Sequence, residues 1–142
     1  DHTNSVLMRY SMNPMLALRQ YQKIGAQAQT SEASPHRLVQ MLMEGGLDRI
    51  AQAKGAMARK DIPGKGLLIS KAIGIIGGLR EGLDLENSIE TVGELDNLYA
   101  YMMRRLAEAN LKTDPGILDE VADLLRTIKD GWDGISASVP QF

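Results

Sequence analysis

Apolar residues recur along most of this chain at alternating spacings of four and three, which is the repeat of a helix with one buried side. The clearest series comprises Val39, Met43, Gly46, Ile50, Ala53 and Met57. Later segments carry comparable series, and none shows the alternation of a half-buried β-strand. The pattern therefore predicts an all-α fold built from long helices.

Helix-start signals mark where these helices begin. Ser34 and Asp114 are good N-cap residues, and each precedes a proline suited to the first helical turn. Asp61 stands before the second helix, and Thr91 with Glu94 matches the Thr-x-x-Glu capping box. The predicted helices cover about 35–59, 62–83, 92–111 and 115–136. Because their connections are short, consecutive helices should be antiparallel neighbours in an up-down-up-down four-helix bundle that spans 34–137.

The apolar side of each later helix identifies the residues expected in the core. In the second helix they are Ile62, Ile69, Ala72, Ile76, Leu79 and Leu83. In the third helix they are Leu95, Leu98, Tyr99, Met102, Leu106 and Ala109. In the fourth helix they are Ile117, Val121, Leu124, Leu125, Ile128, Trp132 and Ile135.

Charge and composition exclude several classes of partner. The formal net charge is −2, whereas a nucleic-acid-binding surface needs a basic field that faces the phosphates, so we expect no nucleic-acid partner. No apolar run approaches the roughly 20 residues that cross a bilayer, so we expect no membrane insertion. The chain has no cysteine, which fits a reducing cytoplasm.

The residue patterns of enzyme active sites do not occur in this sequence. His36 lies in the first turn of the first helix, where we expect a proton donor or a solvent contact. No cluster of His, Cys and Glu has the spacing of metal ligands, and no glycine-rich loop joins a strand to a helix to bind phosphate. No serine has a base near it in sequence. We therefore predict a protein that is not an enzyme and that needs neither metal nor cofactor.

The second helix carries a small residue at every fourth position. These residues are Gly66, Ser70, Gly74, Gly78 and Gly82, with Gly77 beside them. On a helical wheel they lie opposite the Ile69/Ile76 side, although each interior glycine costs roughly 0.5–1 kcal/mol relative to alanine. One interpretation is close helix–helix packing, within the monomer or in a homodimer; the other is a smooth, weakly charged groove for a partner's helix or extended segment. The candidate groove residues are Leu67, Ser70, Ile73, Gly74, Gly78, Tyr99, Met102 and Met103, although the methionines also suit the core.

Residues 12–33 form an N-terminal arm ahead of the bundle, and residues 138–142 form a tail. In the arm, Leu18 and Tyr21 are three apart, so one helical turn presents them together. This tethered apolar pair is suited to covering a groove until a partner displaces it, although a disordered N-terminus explains the arm equally well. Residues 1–11 are either an added leader or a natural extension, and they repeat the apolar-x-x-Tyr spacing at Leu7 and Tyr10.

Several blocks of sequence, found in order, resemble one known family. They are ASPHRLVQMLMEG (33–45), KGLLISKAIGII (65–76), GLDLE (82–86), NLYAYMMRRL (97–106) and GW (131–132). Together they resemble the flagellar secretion chaperone FliS family, over Met12 to about Ile135. The second helix departs from the family pattern because it is richer in glycine, notably at Gly74, where family members often have a polar residue.

The resemblance implies an antiparallel four-helix bundle in the cytoplasm. It implies a protein that binds the disordered C-terminal segment of flagellin, prevents premature filament assembly and helps to present flagellin to the export gate protein FlhA. It also implies that Leu18 and Tyr21 form an apolar N-terminal cap that contacts the export gate. The alternative is a non-enzymatic adaptor bundle that homodimerises through the glycine-rich side of the second helix.

Overall fold

A computed structural model describes residues 34–83 and 90–135 of the chain. They form four helices, and no strand occurs among them: α1 (Pro35–Ala58), α2 (Ile62–Leu83), α3 (Glu90–Lys112) and α4 (Pro115–Ile135). The predicted all-α class and the four helices are thus confirmed. The leader, the arm with Leu18 and Tyr21, and the tail lie outside the described residues.

Capping side chains begin three of the helices as the sequence predicts. Ser34 has extended backbone angles, and its hydroxyl oxygen accepts a hydrogen bond from the Arg37 N–H at 3.1 Å, with Pro35 in the first turn. Asp61 accepts in the same way from the Gly64 N–H at 3.0 Å, and Asp114 accepts from the Gly116 N–H at 2.8 Å. Each cap satisfies a backbone donor that would otherwise have no partner in the first turn.

α3 begins at Glu90, two residues before the predicted start at about residue 92. The helix already includes Glu90, so Thr91 has a helical conformation and is not the N-cap of the expected capping box. The capping-box pattern overlooked this extension.

Two helices end in the same way, with a residue other than glycine in the left-handed region. Lys60 (φ 61°) follows α1, and Thr113 (φ 50°) follows α3. After α1, the Asp61 N–H donates to the Ala56 carbonyl oxygen and the Lys60 N–H to the Met57 carbonyl oxygen, which is the Schellman pattern. These turns reverse the chain between consecutive helices within a few residues.

One aliphatic core joins the four helices. α1 and α3 each pack against both α2 and α4, and the largest fully buried side chains come from all four: Met43, Ile69, Ile76, Met102, Leu106, Leu118, Leu125 and Val121. The backbone of α1 comes close to its neighbours at Gly46, where a Cβ would lie 3.2 Å from Leu125 Cδ2 and 3.5 Å from Ile75 Cγ2. A Cβ at this position would be tight against Leu125, whose side chain would have to shift by a few tenths of an ångström in a closely packed core.

Two residues expected in the core are exposed. Ile62 is 55% exposed and Ile135 is 41% exposed, so both predictions are wrong. Each is a terminal residue of its helix, and the apolar repeat continues by one position beyond the end of the packed core. The remaining predicted inward residues are buried or packed at the edge of the core.

Cross-helix contacts define two ends of the molecule. At the end that we call the upper end, His36 at the start of α1 contacts Trp132 near the end of α4. Arg80, late in α2, donates to the Asp96 carboxylate, early in α3, at 2.8 Å. At the opposite end, Lys54 pairs with Asp119 at 2.7 Å.

Among the described residues, α2 is long and apolar enough to cross a membrane when judged by length and composition alone. Its mean hydropathy is 1.3, and 39% of the stretch is buried against the rest of the protein. The core helix of a soluble bundle meets the same criterion, so this property does not separate the two cases.

Candidate functional site

The exposed side of α2, which we call the α2 outer face, consists of Leu67, Ser70, Lys71 and Gly74. Leu67 is 58% exposed. A Cβ on Gly74 would meet no atom of the described residues within 4 Å, apart from its own helix and chain neighbours. This surface is therefore partly apolar, low in relief and carries one charge, that of Lys71.

Beside the α2 outer face lies the line of contact between α2 and α3, which we call the α2–α3 groove. Ile73 and Met103 are half-buried against the core. A Cβ on Gly77 would lie 3.4 Å from Met103 Cε, and one on Gly66 would lie 4.0 Å from Asn110 Oδ1. The small residues thus bring the α3 side chains close to the α2 backbone. Ile73 and Met103 therefore border the α2 outer face on its α3 side.

The other predicted groove residues lie elsewhere. Gly78 and Tyr99 line a separate cavity at the upper end, and Met102 is fully buried in the core. Gly77 and Gly78 are buried, so the prediction that all the small residues of α2 lie on its outside is wrong. The helical wheel failed here because α2 has neighbours on two sides, which bury positions well away from the Ile69/Ile76 side.

The upper cavity has a volume of about 400 Å³, within the roughly 300–1,000 Å³ range of ligand pockets. All four helices contribute to its wall, which consists of Val39, Leu42, Met43, Gly78, Leu79, Gly82, Leu83, Leu95, Tyr99, Thr127, Ile128, Gly131, Trp132 and Ile135. The wall is almost wholly apolar. The sequence pattern of a single helix does not indicate this cavity, because its wall forms only where all four helices come together.

Polar groups in the cavity wall already have partners or are perturbed by burial. The Thr127 hydroxyl donates to the Asp123 carbonyl oxygen at 3.0 Å, and the Trp132 indole N–H donates to the His36 carbonyl oxygen at 3.0 Å. Burial of the Tyr99 phenol raises its pKa to about 12, because the charged form loses hydration. The cavity therefore favours an apolar occupant.

His36 and Trp132 fasten α1 to α4 beside this cavity. The rings stack with centroids 4.7 Å apart and planes 7° apart, and His36 Nε2 lies 2.7 Å from the Trp132 carbonyl oxygen. Because that oxygen only accepts, Nε2 carries the proton. His36 is 7% exposed, so the expected solvent contact is wrong. Its ring N–H donates a hydrogen bond that holds α1 against α4, which is a structural role.

A charged network covers the side between α3 and α4. The Tyr101 hydroxyl and the Arg105 guanidinium both donate to the Glu120 carboxylate, and Arg105 also donates to Glu108. These hydrogen bonds, first from Tyr101 and then from Arg105, lower the pKa of Glu120. This side is therefore polar, and these charged groups already pair with one another. In this respect it differs from the partly apolar α2 outer face.

No group of three or more His, Cys, Asp or Glu residues suited to a metal ion occurs in 34–83 or 90–135. The groups with perturbed pKa values, which are Tyr99, the Glu120 network and the Lys129–Asp133 pair, are explained by burial and by ion pairing. The α2 outer face is instead an apolar contact area, and such an area is suited to binding another polypeptide segment.

Comparison with known proteins gives a consistent result. The family described as flagellar protein FliS matches residues 17–139, a range that includes Leu18 and Tyr21 but not Leu7 and Tyr10. The flagellar secretion chaperone FliSB of Pseudomonas aeruginosa is 60% identical, over 88% of this chain and 99% of that protein. The flagellar secretion chaperones FliS of Vibrio cholerae and Salmonella typhimurium are 43% and 38% identical, over 84% of this chain and 88% and 89% of their own lengths. The chain therefore belongs to the flagellar protein FliS family, whose relatives named here are flagellar secretion chaperones.

Proposed function

We propose that this protein is a cytoplasmic export chaperone that binds the disordered C-terminal segment of flagellin. In binding this segment it prevents premature polymerisation and assists delivery to the export gate protein FlhA. The activity is binding and needs no chemical step. Membership of the FliS family supports this proposal, and the α2 outer face supports it from the structure.

The observation that carries the proposal is the exposed apolar surface of α2. Leu67 is 58% exposed, and the backbone at Gly74 is open. The groove floor at Ile73 and Met103 adds apolar area beside them. A methionine adapts its shape to different apolar partners, which suits a surface that receives a segment without fixed structure.

The length of the surface matches what a disordered client requires. Such a client loses conformational entropy on binding, so it must bury a long apolar stretch to compensate. α2 has 22 residues, and at 1.5 Å per residue it is about 33 Å long. A client held on this surface is removed from the pool that polymerises, and mass action then opposes filament growth.

We infer a cap role for Leu18 and Tyr21 of the N-terminal arm. Their spacing presents them together on one helical turn. The arm joins α1 at Ser34, so its apolar pair is tethered close to the bundle and reaches an effective concentration in the millimolar range. The cap covers the client surface in the free protein, and once displaced it is available to FlhA.

We also infer that the helices form an antiparallel up-down-up-down bundle. Contacts between α1 and α4 pair Gln40 with Asp133 and Lys54 with Asp119, so the order along the two helices is opposite. The connections after α1 and α3 are short, which favours antiparallel neighbours. In this arrangement α2 and α3 lie side by side and antiparallel.

Calorimetric titration with a flagellin C-terminal peptide tests the proposed function. Gly74→Glu places a charge on the open α2 outer face, and burying that charge under an apolar client should weaken binding by a factor of about ten or more. Gly134→Glu is the matched control, because its Cβ also meets no atom of the described residues within 4 Å and it lies on α4. Absence of a 1:1 complex with the unsubstituted protein, or equal loss in both variants, would overturn the proposal.

The second candidate function is an adaptor that homodimerises through α2. The exposed small residues Ser70 and Gly74 favour it, because they allow a second helix to approach closely. Sedimentation equilibrium separates the two functions. A chaperone should be monomeric or shift to a 1:1 complex on addition of the peptide. A dimer that ignores the peptide and dissociates in Gly74→Glu would favour the adaptor.

A further inference from the structure

The turn between α1 and α2 lies at the end of the molecule opposite the upper cavity, and it is exposed throughout residues 59–63. Two large aliphatic side chains lie in or beside this turn, Ile62 at 55% exposure and Leu67 at 58%. Leu67 and Lys71 are four residues apart, so they lie in line on one side of α2. We call this surface the hairpin tip, and it consists of Arg59, Lys60, Ile62, Leu67 and Lys71.

Positive charge is concentrated around the hairpin tip. Residues 49–71 contain six of the 16 Lys and Arg residues of the chain but one of its 18 Asp and Glu residues, although the chain as a whole has a net charge of −2. Arg59, Lys60 and Lys71 are exposed and pair with no acidic side chain of the described residues. Arg126 on α4, by contrast, pairs with a carboxylate. The hairpin tip is therefore a basic surface on an acidic protein, and its cations are available to an anionic partner.

The combination of exposed aliphatic and cationic side chains favours one class of partner, an anionic membrane surface. Helical segments that bind at the lipid interface place apolar side chains at the headgroup boundary, while Lys and Arg are attracted to anionic lipids. Nucleic-acid phosphates are contacted by hydrogen-bonding groups, so Ile62 and Leu67 would have no role there. An acidic protein segment would need a groove for its apolar residues, whereas residues 59–63 are all exposed.

We propose that the hairpin tip binds peripherally to membranes that contain anionic phospholipid. Ile62 and Leu67 enter the headgroup region, and Arg59, Lys60 and Lys71 lie against the lipid phosphates. No helix crosses the bilayer, because the buried side of α2 stays packed in the bundle. Each Lys or Arg close to such a surface strengthens binding about fivefold. The inference concerns the free protein and does not rest on the proposed function.

Co-sedimentation with lipid vesicles tests the proposal. The protein should bind vesicles of phosphatidylcholine mixed with phosphatidylglycerol, and it should not bind vesicles of phosphatidylcholine alone. Raising the ionic strength from about 0.1 to 1 M shortens the Debye length from about 10 to 3 Å and should release the protein. The double variant Arg59→Gln/Lys60→Gln should bind about 25-fold more weakly. Arg104→Gln/Arg126→Gln is the matched control, because it removes the same charge from exposed positions on α3 and α4.

A fluorescent label measures the aliphatic contact separately. The chain has no cysteine, so Ile62→Cys can be labelled at one position with the environment-sensitive fluorophore NBD. On anionic vesicles the emission of this label should move to shorter wavelength, because the fluorophore leaves water for the headgroup region. Gly134→Cys is the control, since residue 134 is exposed on α4 near the upper end, and its label should keep its emission.

Four outcomes overturn the proposal. They are absence of binding to the anionic vesicles, equal binding to phosphatidylcholine alone, equal weakening by the two double variants, and a label at position 62 that does not shift or shifts no more than the label at position 134. Binding of polyglutamate without binding of vesicles would assign the hairpin tip to an acidic protein partner instead. Circular dichroism at 222 nm checks that each variant keeps the helix content of the unsubstituted protein.

Discussion

Two glycines in neighbouring helices should respond in opposite ways to the same substitution. In Gly74→Ala the new Cβ meets no atom of the described residues within 4 Å beyond its own helix and chain neighbours. The variant therefore gains the full difference in helix propensity, about 0.5–1 kcal/mol. In Gly46→Ala the Cβ would lie 3.2 Å from Leu125 Cδ2, a side chain with no exposed area.

The expected net effect at Gly46 is a loss of stability. Overpacking a full core costs about 1–3 kcal/mol, which exceeds the propensity gain. We expect the free energy of unfolding to fall by up to about 2 kcal/mol in Gly46→Ala and to rise by about 0.5–1 kcal/mol in Gly74→Ala. For a cooperative unit of about 100 residues, the rise at Gly74 corresponds to a Tm increase of about 2–5 °C.

Urea unfolding followed by circular dichroism at 222 nm measures both free energies on one scale. The two variants should share the urea dependence of the unsubstituted protein, so that the midpoints alone report the change in stability. Equal stabilisation by both substitutions would refute the packing assigned to Gly46. Destabilisation by Gly74→Ala would contradict the open space found at its Cβ among the described residues.

Three further predictions concern the turns and the buried aromatic residues. Lys60→Gly should raise the free energy of unfolding by about 0.5–1 kcal/mol in the same urea assay, because the residue has φ 61° and glycine adopts this conformation without strain. His36→Ala should lower it by about 2 kcal/mol, since the stack on Trp132 and the hydrogen bond to its carbonyl oxygen are both lost; an unchanged midpoint would contradict a fastening role. The contribution of Tyr99 to the free energy of unfolding should be fully present below about pH 10. It should be lost between about pH 10 and 12, by up to about 2–3 kcal/mol, because the unfolded chain loses the Tyr99 proton at a lower pH than the folded protein does. Tyr99→Phe should remove that part of the fall in a pH series, and an identical fall in the variant would assign it to other groups.

Much of the fold follows from local signals in the sequence. Ser34, Asp61 and Asp114 begin their helices because a short polar side chain can accept a hydrogen bond from the first turn. The interior of each apolar series is buried as expected, because helical period and burial coincide in a bundle. The errors fall at helix ends. At Ile62 and Ile135 the apolar repeat continues although the packed core has ended, and at Thr91 the capping-box pattern misses an earlier helix start.

The candidate site could be predicted only in part, because sequence spacing does not say how many neighbours a helix has. The exposure of Leu67 and Gly74 agrees with the expected outer side of α2. Gly78 was placed on that side too, yet it lines the upper cavity. The cavity depends on residues far apart in sequence, and no local pattern identifies such a site before the arrangement of the helices is known.

The contact between His36 and Trp132 shows the same limit. Both residues lie in blocks that carry the family resemblance, and neither block indicates that they touch across 96 positions of sequence. Once the start of α1 and the end of α4 are adjacent, the stack and the two hydrogen bonds account for the burial of His36.

The central claim is that the flagellin segment binds along the α2 outer face and the groove beside it. Methyl-labelled NMR spectra recorded during addition of a flagellin C-terminal peptide test it most directly. The account predicts that the methyl resonances of Leu67, Ile73 and Met103 shift together and saturate at one equivalent of peptide. Shifts confined to residues of α1 and α4, or spectra unchanged by the peptide, would contradict it.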